Sequence, residues 1–197
     1  MLTLYLLRHP KTQGPPDIIK GHEDIGLEDG WEQGVDELAE RLSKSGPIDA
    51  VLASDLQRAR LPALRIAGYL GQAQQSPIDL AVSELLRERN AGFYARKRFH
   101  QIDANGKNPH DYIFEMNEIA GGESRDQVYE RIDLVKTNYL GKYQGNGRII
   151  IVNPGWLINH WRNHELGDDS IPYNRMPNLG VLCLVLDGKS AREIPFS

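Results

Sequence analysis

The sequence predicts an α/β fold, a three-layer sandwich with helices on both faces of a mostly parallel central sheet and an edge hairpin at the C-terminus. Two apolar runs indicate this class: residues 2–7 (Leu-Thr-Leu-Tyr-Leu-Leu) and 148–152 (Arg-Ile-Ile-Ile-Val). Runs that contain so few polar residues are typical of strands buried on both faces, which occur in parallel sheets covered by helices. The length of 197 residues fits a single domain with a sizeable core.

The first half of the chain continues with helices and short strands in turn. Prolines make residues 13–17 a loop, because they remove backbone donors. A helix then carries one apolar face made of Trp31, Val35, Leu38, Ala39 and Leu42. Residues 50–53 predict a second strand. Pro62 places the start of the next helix near Leu61, since a missing amide costs least in the first turn, and that helix runs to about Leu70. Residues 78–82 predict a third strand.

Residues 93–122 are expected to be irregular or only locally helical. A long stretch of this kind in a compact domain is usually functional or mobile, and we expect a cap-like insertion over the edge of the sheet. The segment carries the basic run Arg96-Lys97-Arg98 together with His100. These charges fit either a second anionic group of a ligand or an ordinary solvated surface.

The second half begins with a capping box, in which Ser124 is followed three residues later by Gln127. The helix it opens has an apolar face of Val128, Ile132, Val135 and Tyr139. After the strand at 148–152, Asn153 at the N-cap and Pro154 at the first helical position predict a helix that ends at Gly167.

The C-terminal hairpin consists of a strand at 181–186, a turn at Asp187-Gly188 and a partner strand at 191–195. Pro195 blunts pairing at this edge without forbidding it, so the sequence leaves the oligomeric state open.

Composition narrows the function classes. A net charge of −4 argues against a general nucleic-acid or anionic-membrane surface. The one cysteine, Cys183, lies between two leucines and is interpreted as a small buried hydrophobe, so a reducing, cytoplasmic setting is expected. No apolar run is long enough to span a membrane, and Met1 leads into a strand rather than a charged leader.

Basic side chains follow two of the predicted strands. Arg8 and His9 end the first strand, and Arg58 follows the second. Ligands of parallel sheets bind beyond the carboxyl ends of the strands, so these residues are expected to meet an anion together. For Arg8 and His9 alone, a basic pair on a surface loop is the alternative.

Five blocks in register resemble the histidine phosphatase superfamily, the fold of cofactor-dependent phosphoglycerate mutases and many small phosphatases. They are Arg8-His9 with Thr12; Asp24, Leu27, Gly30 and Gln33; Ser54-Asp55-Leu56-Gln57-Arg58-Ala59; Leu86-Arg87-Glu88 with Gly92; and Gly122-Glu123-Ser124. Each block alone is weak evidence. Together they span most of the chain in the order that the family has.

The resemblance implies a phosphohistidine mechanism without metal or cofactor. His9 would attack a phosphomonoester, while Arg8 and Arg58 hold the non-bridging oxygens. Glu88 would protonate the leaving oxygen, with Glu84 as the alternative acid. Glu88 could instead be an exposed acid paired with a neighbouring arginine.

The chain departs from the family at its last motif. Where the family has Ser-His-Gly-Gly, this chain has Asn153-Pro154-Gly155-Trp156. Pro154 offers no donor, and losing one such donor costs on the order of 10²–10³ in rate. Pro10 and Lys11 also stand where the family usually has Gly and Glu, and Pro15 where it often has Asn.

Several residues are candidates to replace the lost contacts. The Asn153 side chain, the amides of Gly155 and Trp156, Lys11 and Thr12 are predicted to bind substrate. His22 is a further candidate. His160 lies too far along its helix, about 9 Å on, and its i,i+4 spacing from His164 predicts no metal site without a third ligand. Trp156 either lines the pocket or packs in the core.

These features favour a slow or specialised phosphomonoester hydrolase that acts on a small phosphorylated substrate. A phosphate- or phospholigand-binding protein with impaired catalysis is the alternative, supported by Pro154. A phosphoglycerate mutase is less favoured, because a chain of 197 residues leaves little room for the large insertions of the mutases. Inorganic phosphate would bind in either case, and no nucleic acid or membrane partner is expected.

Overall fold

A six-stranded sheet forms the centre of the molecule. The structure is a computed structural model that describes residues 1–143, 145–188 and 190–196. The strands are β1 (Leu2–Arg8), β2 (Ala50–Ala53), β3 (Asp79–Val82), β4 (Gly147–Asn153), β5 (Val181–Asp187) and β6 (Ser190–Ile194), in the spatial order β3-β2-β4-β1-β5-β6. The first four strands are parallel, and β5 and β6 form the antiparallel C-terminal hairpin. The predicted mostly parallel sheet is therefore confirmed.

Helices cover both faces of this sheet. They are α1 (Trp31–Lys44), α2 (Gln57–Gln74), α4 (Arg125–Val135) and α5 (Gly155–Leu166), whereas α3 (Pro109–Glu115) packs in a separate apolar cluster. One face of the sheet, including Tyr5 and Leu7, packs against α1 and α2. The other face, including Leu4 and Leu6, packs against α4 and α5. Successive side chains of a strand point to opposite faces of the sheet. A strand that is apolar at nearly every position therefore contributes side chains to the apolar clusters on both faces. The three-layer prediction is confirmed.

Helix α2 begins earlier than Pro62 predicted. It starts at Gln57, and Pro62 lies buried inside it. The cap comes from a distant part of the chain: the Asp24 carboxylate accepts a hydrogen bond of 2.7 Å from the Gln57 amide. This cap offsets the backbone hydrogen bond that Pro62 cannot donate. The residues next to Gln57 in the sequence do not predict the cap, because Asp24 comes from a distant part of the chain.

Helix α5 begins one residue later than predicted. Asn153 still belongs to β4, where it pairs with Arg8 and its carbonyl accepts a 3.2 Å hydrogen bond from the His9 amide. Pro154 occupies the cap position with an extended backbone, and Gly155 is the first helical residue. The prediction of Asn153 as N-cap is therefore wrong, because strand pairing takes precedence over capping.

Two further boundaries differ from the prediction. Strand β6 ends at Ile194, so Pro195 lies beyond the strand, consistent with its lack of a backbone donor. The capping box of α4 is present, but regular α-helix stops at Val135 and a π-helical turn follows at Lys136–Leu140. Cys183 is buried and unpaired, as predicted. Among the described residues, no helix is both long and apolar enough to cross a membrane.

Residues 93–122 pack near the carboxyl edge of the sheet. Ile113 and Phe114 of α3 join a third apolar cluster with Ile19 and Trp156. The backbone is tied to the loop after β1, since Lys97 O accepts from the Ile19 amide at 3.0 Å. The segment thus contacts both the loop after β1 and the start of α5.

Arg89 fixes the C-terminal part of residues 93–122 through hydrogen bonds to its backbone. Its guanidinium is fully buried and donates to the carbonyls of Glu123 (2.9 Å), Met116 (2.8 Å) and Asn117 (3.0 Å). Burial lowers the pKa of Arg89 to about 10, which leaves it charged near neutral pH. One side chain therefore satisfies several buried carbonyls at the end of the segment.

We expect the substitution Arg89→Leu to lower the free energy of unfolding by about 3 kcal/mol, because it removes the hydrogen bonds that the buried guanidinium donates to the Glu123 and Met116 carbonyls. Urea denaturation would measure the change. Arg60→Leu is the matched control: Arg60 is half-buried on α2 and makes no ion pair among the described residues. Equal stability of the two variants would contradict this account.

Candidate active site

A cavity of about 320 Å³ opens at the carboxyl ends of β1 and β4. It is lined by all four residues predicted to be catalytic, Arg8, His9, Arg58 and Glu88. Of the predicted substrate-binding residues, Lys11, Thr12 and Gly155 also line it, whereas Asn153 does not. The strand ends therefore gather the basic side chains as the topology predicted.

His9 is held in one tautomer. Its Nδ1 atom lies 2.6 Å from the Pro10 carbonyl oxygen, which can only accept, so Nδ1 carries the proton and Nε2 keeps its lone pair. Burial, together with the charges of Arg58, Arg8 and Lys20, lowers the pKa of His9 to about 3. The Asn178 amide donates to the His9 carbonyl at 2.8 Å and fixes the backbone. The ring is thus neutral at physiological pH, with the lone pair of Nε2 unprotonated.

Arg8 is fixed by the chain that leads into β5. Its Nη1 atom donates to the Met176 carbonyl, and its backbone amide donates to the Gly180 carbonyl at 3.0 Å. Its Nε atom is buried and has no hydrogen-bond partner among the described residues. One donor of a rigid guanidinium is therefore left at the cavity for an incoming anion.

Arg58 lies in the first turn of α2 and is 2% exposed. Its two terminal nitrogens donate to the carbonyls of Glu23 (2.6 Å) and Gly21 (2.7 Å) in the loop after β1. Burial lowers its pKa, and the nearby charge of Glu88 opposes that effect. Arg58 thus brings positive charge to the cavity while it holds the loop in place.

Glu88 faces the N-terminus of α5. Its carboxylate accepts hydrogen bonds from the amides of Leu157 (2.9 Å) and Trp156 (3.1 Å), and also from Arg89 N (3.0 Å). Burial raises its pKa, while these amide donors and the charge of Arg58 work against the increase. The Trp156 amide is therefore already occupied, and the prediction that it is free for an anion is wrong.

The other reading of Glu88, as an exposed acid paired with a neighbouring arginine, is also wrong. Arg87 pairs with Asp55, with Nε at 2.8 Å from Oδ1, and the Arg89 guanidinium is engaged by carbonyls. Glu84 has a 75% exposed side chain 3.5 Å from Arg87 and does not line the cavity.

Asn153 is not a cavity ligand, contrary to prediction. Its side chain is fully buried, and neither amide atom has a partner among the described residues. It immediately precedes Pro154 in the chain, but successive side chains of a strand alternate in direction, so proximity in sequence does not bring it to the surface. Lys11 is exposed at the rim, and the Thr12 hydroxyl accepts from Lys20 Nζ at 2.5 Å.

Several side chains that were not predicted also line the cavity, among them Lys20, His110 and Tyr173. Burial lowers the pKa of Lys20, lowers that of His110 to about 4 and raises that of Tyr173 to about 12. None of the three follows a strand directly, so the rule about strand ends could not find them. Only the prediction that residues 93–122 cap the edge of the sheet indicated that His110 could lie near the cavity.

Trp156 combines its two predicted roles. The ring is only 3% exposed and packs in the third apolar cluster, yet it also lines the cavity. The Trp156 and His110 rings form a T-shaped pair, with centroids 5.3 Å apart. The large side chain that stands in place of a glycine therefore joins residues 93–122 to the wall of the cavity.

The remaining candidate histidines lie outside the cavity. His22 contacts the Glu88 carbonyl at 2.6 Å, His160 is buried against Phe114, and His164 lies 3.0 Å from Asp133. Within residues 1–143, 145–188 and 190–196, no three side chains form a metal-binding group.

The basic run of residues 96–98 also lies outside the cavity. Arg96 pairs with Glu23 at 2.5 Å, and Arg98 pairs with Asp17 at 3.2 Å. Lys97 sits 3.0 Å from the centre of the Phe93 ring. This geometry favours the solvated-surface interpretation over a second anion site.

Comparisons with known proteins identify the family of the chain. The family model of the histidine phosphatase superfamily (branch 1) matches residues 4–193. The chain belongs to this superfamily. Phosphoglycerate mutase-like protein 4 of Arabidopsis thaliana is 32% identical over 162 residues, which cover 79% of this chain and 67% of that protein.

Solved structures share the fold. A mycobacterial glucosyl-3-phosphoglycerate phosphatase matches with a TM-score of 0.77 and 24% identity, over 98% of this chain and 97% of that one. A phosphoglycerate mutase from Bacillus anthracis matches with a TM-score of 0.77 and 22% identity, over 98% and 91% of the respective chains. At these identities the likeness shows the common architecture alone.

We expect Gly155→Ala to weaken binding of inorganic phosphate by at least about 10-fold with little loss of stability. An added methyl group would lie 3.0 Å from the Tyr173 hydroxyl and 3.5 Å from Arg8 Nε, where an anion would meet both, while alanine suits a helix better than glycine. Calorimetric titration would measure the affinity. Gly68→Ala on α2, which has open space around it, is the control. Unchanged phosphate affinity in Gly155→Ala would contradict this placement of the anion.

Proposed function

We propose that this protein is a phosphomonoester hydrolase that works through a phosphohistidine on His9. The observation that carries the proposal is the fixed tautomer of His9, whose Nδ1 is tied to the Pro10 carbonyl so that Nε2 is a neutral nucleophile. Membership of the histidine phosphatase superfamily supports the same chemistry. Glu88 and four arginine or lysine side chains line the cavity around this ring.

In the first step, the Nε2 lone pair of His9 forms a bond to phosphorus. The bond from phosphorus to the ester oxygen breaks, and its electron pair leaves with that oxygen. The oxygen takes a proton from Glu88, whose raised pKa keeps the carboxyl protonated to higher pH than usual. Positive charge from Arg8 and Arg58 stabilises the negative charge spread over the non-bridging oxygens.

In the second step, water replaces His9 on phosphorus. Glu88, now a carboxylate, accepts a proton from the attacking water while the new oxygen–phosphorus bond forms. The nitrogen–phosphorus bond breaks, and its electron pair returns to Nε2. Inorganic phosphate leaves, and both His9 and Glu88 regain their starting protonation states.

The charge of the cavity supports a small phosphorylated substrate. Arg8, Lys11, Lys20 and Arg58 bring four positive charges to the wall, against the acids Glu28 and Glu88. A structural relative, the mycobacterial glucosyl-3-phosphoglycerate phosphatase, has been solved in complex with inorganic phosphate. We propose that residues 93–122 act as a cap that contributes His110 to the wall and restricts the size of the leaving group.

One observation favours a second candidate, a phospholigand-binding protein with impaired turnover. Pro154 lacks the donor that the family's histidine supplies, while Arg8, His9 and Arg58 would still bind a phosphate group. The two candidates differ in turnover and not in binding, so a kinetic experiment separates them.

We expect hydrolysis of a generic aryl phosphate and of some members of a panel of cellular phosphomonoesters, and at least a 10³-fold loss of rate in His9→Ala. Release of inorganic phosphate would be measured at equal protein concentrations. His100→Ala, at an exposed histidine of residues 93–122, is the matched control and should retain activity. Absence of turnover with retained phosphate binding would favour the second candidate, and full activity in His9→Ala would exclude the proposed mechanism.

We also expect kcat/KM to fall as the pH rises through the pKa of Glu88, because the first step needs the protonated carboxyl. Burial raises that pKa above its ordinary value of 4.5, so the fall begins at a higher pH than an exposed glutamate would give. The pKa of His9, about 3, leaves the nucleophile neutral across this range.

In the same profile, Glu88→Gln should lose most of the activity together with this pH dependence, whereas Glu84→Gln should keep both. Loss of the high-pH limb in Glu84→Gln, with Glu88→Gln unaffected, would assign the proton donor to Glu84 instead.

A further inference from the structure

Helix α5 carries an unusual set of buried polar side chains. Asn159, Arg162 and Asn163 are 1%, 6% and 2% exposed, and their spacing places them on one face of the helix. Burial of so much polar surface is costly unless every group is hydrogen-bonded. These side chains therefore need hydrogen-bond partners, and the partners show which segment of the chain this face of the helix fixes in place.

Their partners are the backbone groups on either side of Tyr173. Asn163 Nδ2 donates to the Ile171 carbonyl at 2.9 Å, and Arg162 Nη2 donates to the Pro172 carbonyl at 2.6 Å. Asn159 accepts from the Asn174 amide at 2.7 Å and donates to the Asn174 carbonyl at 3.1 Å. Residues 171, 172 and 174 are thus fixed to α5 at every position around residue 173.

The Tyr173 hydroxyl lies above the first residue of the same helix. A methyl group on Gly155 would be 3.0 Å from this hydroxyl and 3.5 Å from Arg8 Nε, so the two groups converge on one point of the cavity. Arg8 Nε is buried without a partner among the described residues, and Tyr173 lines the same cavity. Two donors are therefore directed at a place next to Pro154.

We propose that the Tyr173 hydroxyl donates a hydrogen bond to the phosphoryl group in transfer, in place of the donor that Pro154 cannot supply. This inference rests on the proposed function and names one more catalytic residue for it. No proton is transferred, since the hydroxyl only stabilises charge on a non-bridging oxygen. The Tyr173 hydroxyl, a neutral donor next to Gly155, thereby supplies the contact that the site lacks because Pro154 replaces the family's histidine.

The surroundings of Tyr173 suit such a donor. Its ring packs against Phe114, with centroids 5.3 Å apart, and lies roughly parallel to the His110 ring at 6.4 Å. Burial raises its pKa to about 12, so the hydroxyl keeps its proton throughout the working range of the enzyme. Because backbone and ring are both fixed, little ordering cost remains when the phosphoryl group arrives.

The test is Tyr173→Phe, which keeps the ring and removes only the hydroxyl. We expect kcat to fall on the order of 10²-fold and the affinity for vanadate, a mimic of the transferring group, to fall at least about 10-fold. Tyr129→Phe is the matched control, because the Tyr129 hydroxyl bonds to Asp169 and does not line the cavity. It should leave both quantities within about 2-fold of the wild type.

A second variant tests the replacement itself. Pro154→His restores a donor at the family position, so the penalty of Tyr173→Phe should be smaller in that background than in the wild type, as a double-mutant cycle measures. Equal penalties in both backgrounds would mean that the hydroxyl does not substitute for the missing histidine.

The remaining outcomes are distinct from failure of the proposed function. An unchanged kcat and vanadate affinity in Tyr173→Phe, or a change in KM alone, overturns the inference while His9-dependent turnover leaves the proposed function intact. If the wild type shows no His9-dependent turnover, the proposed function fails, and vanadate affinity alone then decides whether Tyr173 contacts the anion.

Discussion

The parallel pairing of β1 with β4 is the constraint on which the site depends. The two strands run in register from Leu2 opposite Gly147 to Arg8 opposite Asn153, and the pairing is extended by the hydrogen bond from the His9 amide to the Asn153 carbonyl. Both strands therefore end at the same level, and the Arg8-His9 pair emerges beside the turn into α5. A shift of one residue would exchange the two faces of β1 and remove this juxtaposition.

The electrostatics of the cavity follow from this crowding. Arg8, Lys20 and Arg58 lie close enough to His9 to lower its pKa, and burial acts in the same direction. Backbone carbonyls of two loops accept from Arg8 and Arg58, which holds the cations in place without neutralising them. Under the proposed function, this positive charge binds the phosphate group and the neutral imidazole beside it attacks phosphorus.

Glu88 combines a structural contact with a place in the cavity wall. It accepts from amides in the first turn of α5 as a capping residue would, and it lines the cavity where the proposed function requires a proton donor. The helix thus starts at a carboxylate supplied by another segment, which frees the residues before it from any capping role. Pro154 is compatible with this start because it needs no donor of its own there.

Sequence reasoning located what local chemistry and topology determine. The strand ends placed Arg8, His9 and Arg58, and the apolar runs defined the sheet. It could not find Lys20, His110 and Tyr173, because loops and buried contacts between distant segments bring them to the cavity. The prediction that the Asn153 side chain and the Trp156 amide bind the anion was wrong. The direction of the Asn153 side chain and the contact of Glu88 with the Trp156 amide depend on tertiary structure, which the local sequence does not determine.

The measurement that tests the central claim most directly is mass spectrometry of the wild-type protein quenched, under conditions that preserve phosphohistidine, during reaction with an aryl phosphate. The account predicts an added phosphoryl group that maps to His9, appears before inorganic phosphate is released and disappears as substrate is consumed. Turnover with no modification at His9, or with a phosphoryl group on another residue, would contradict it.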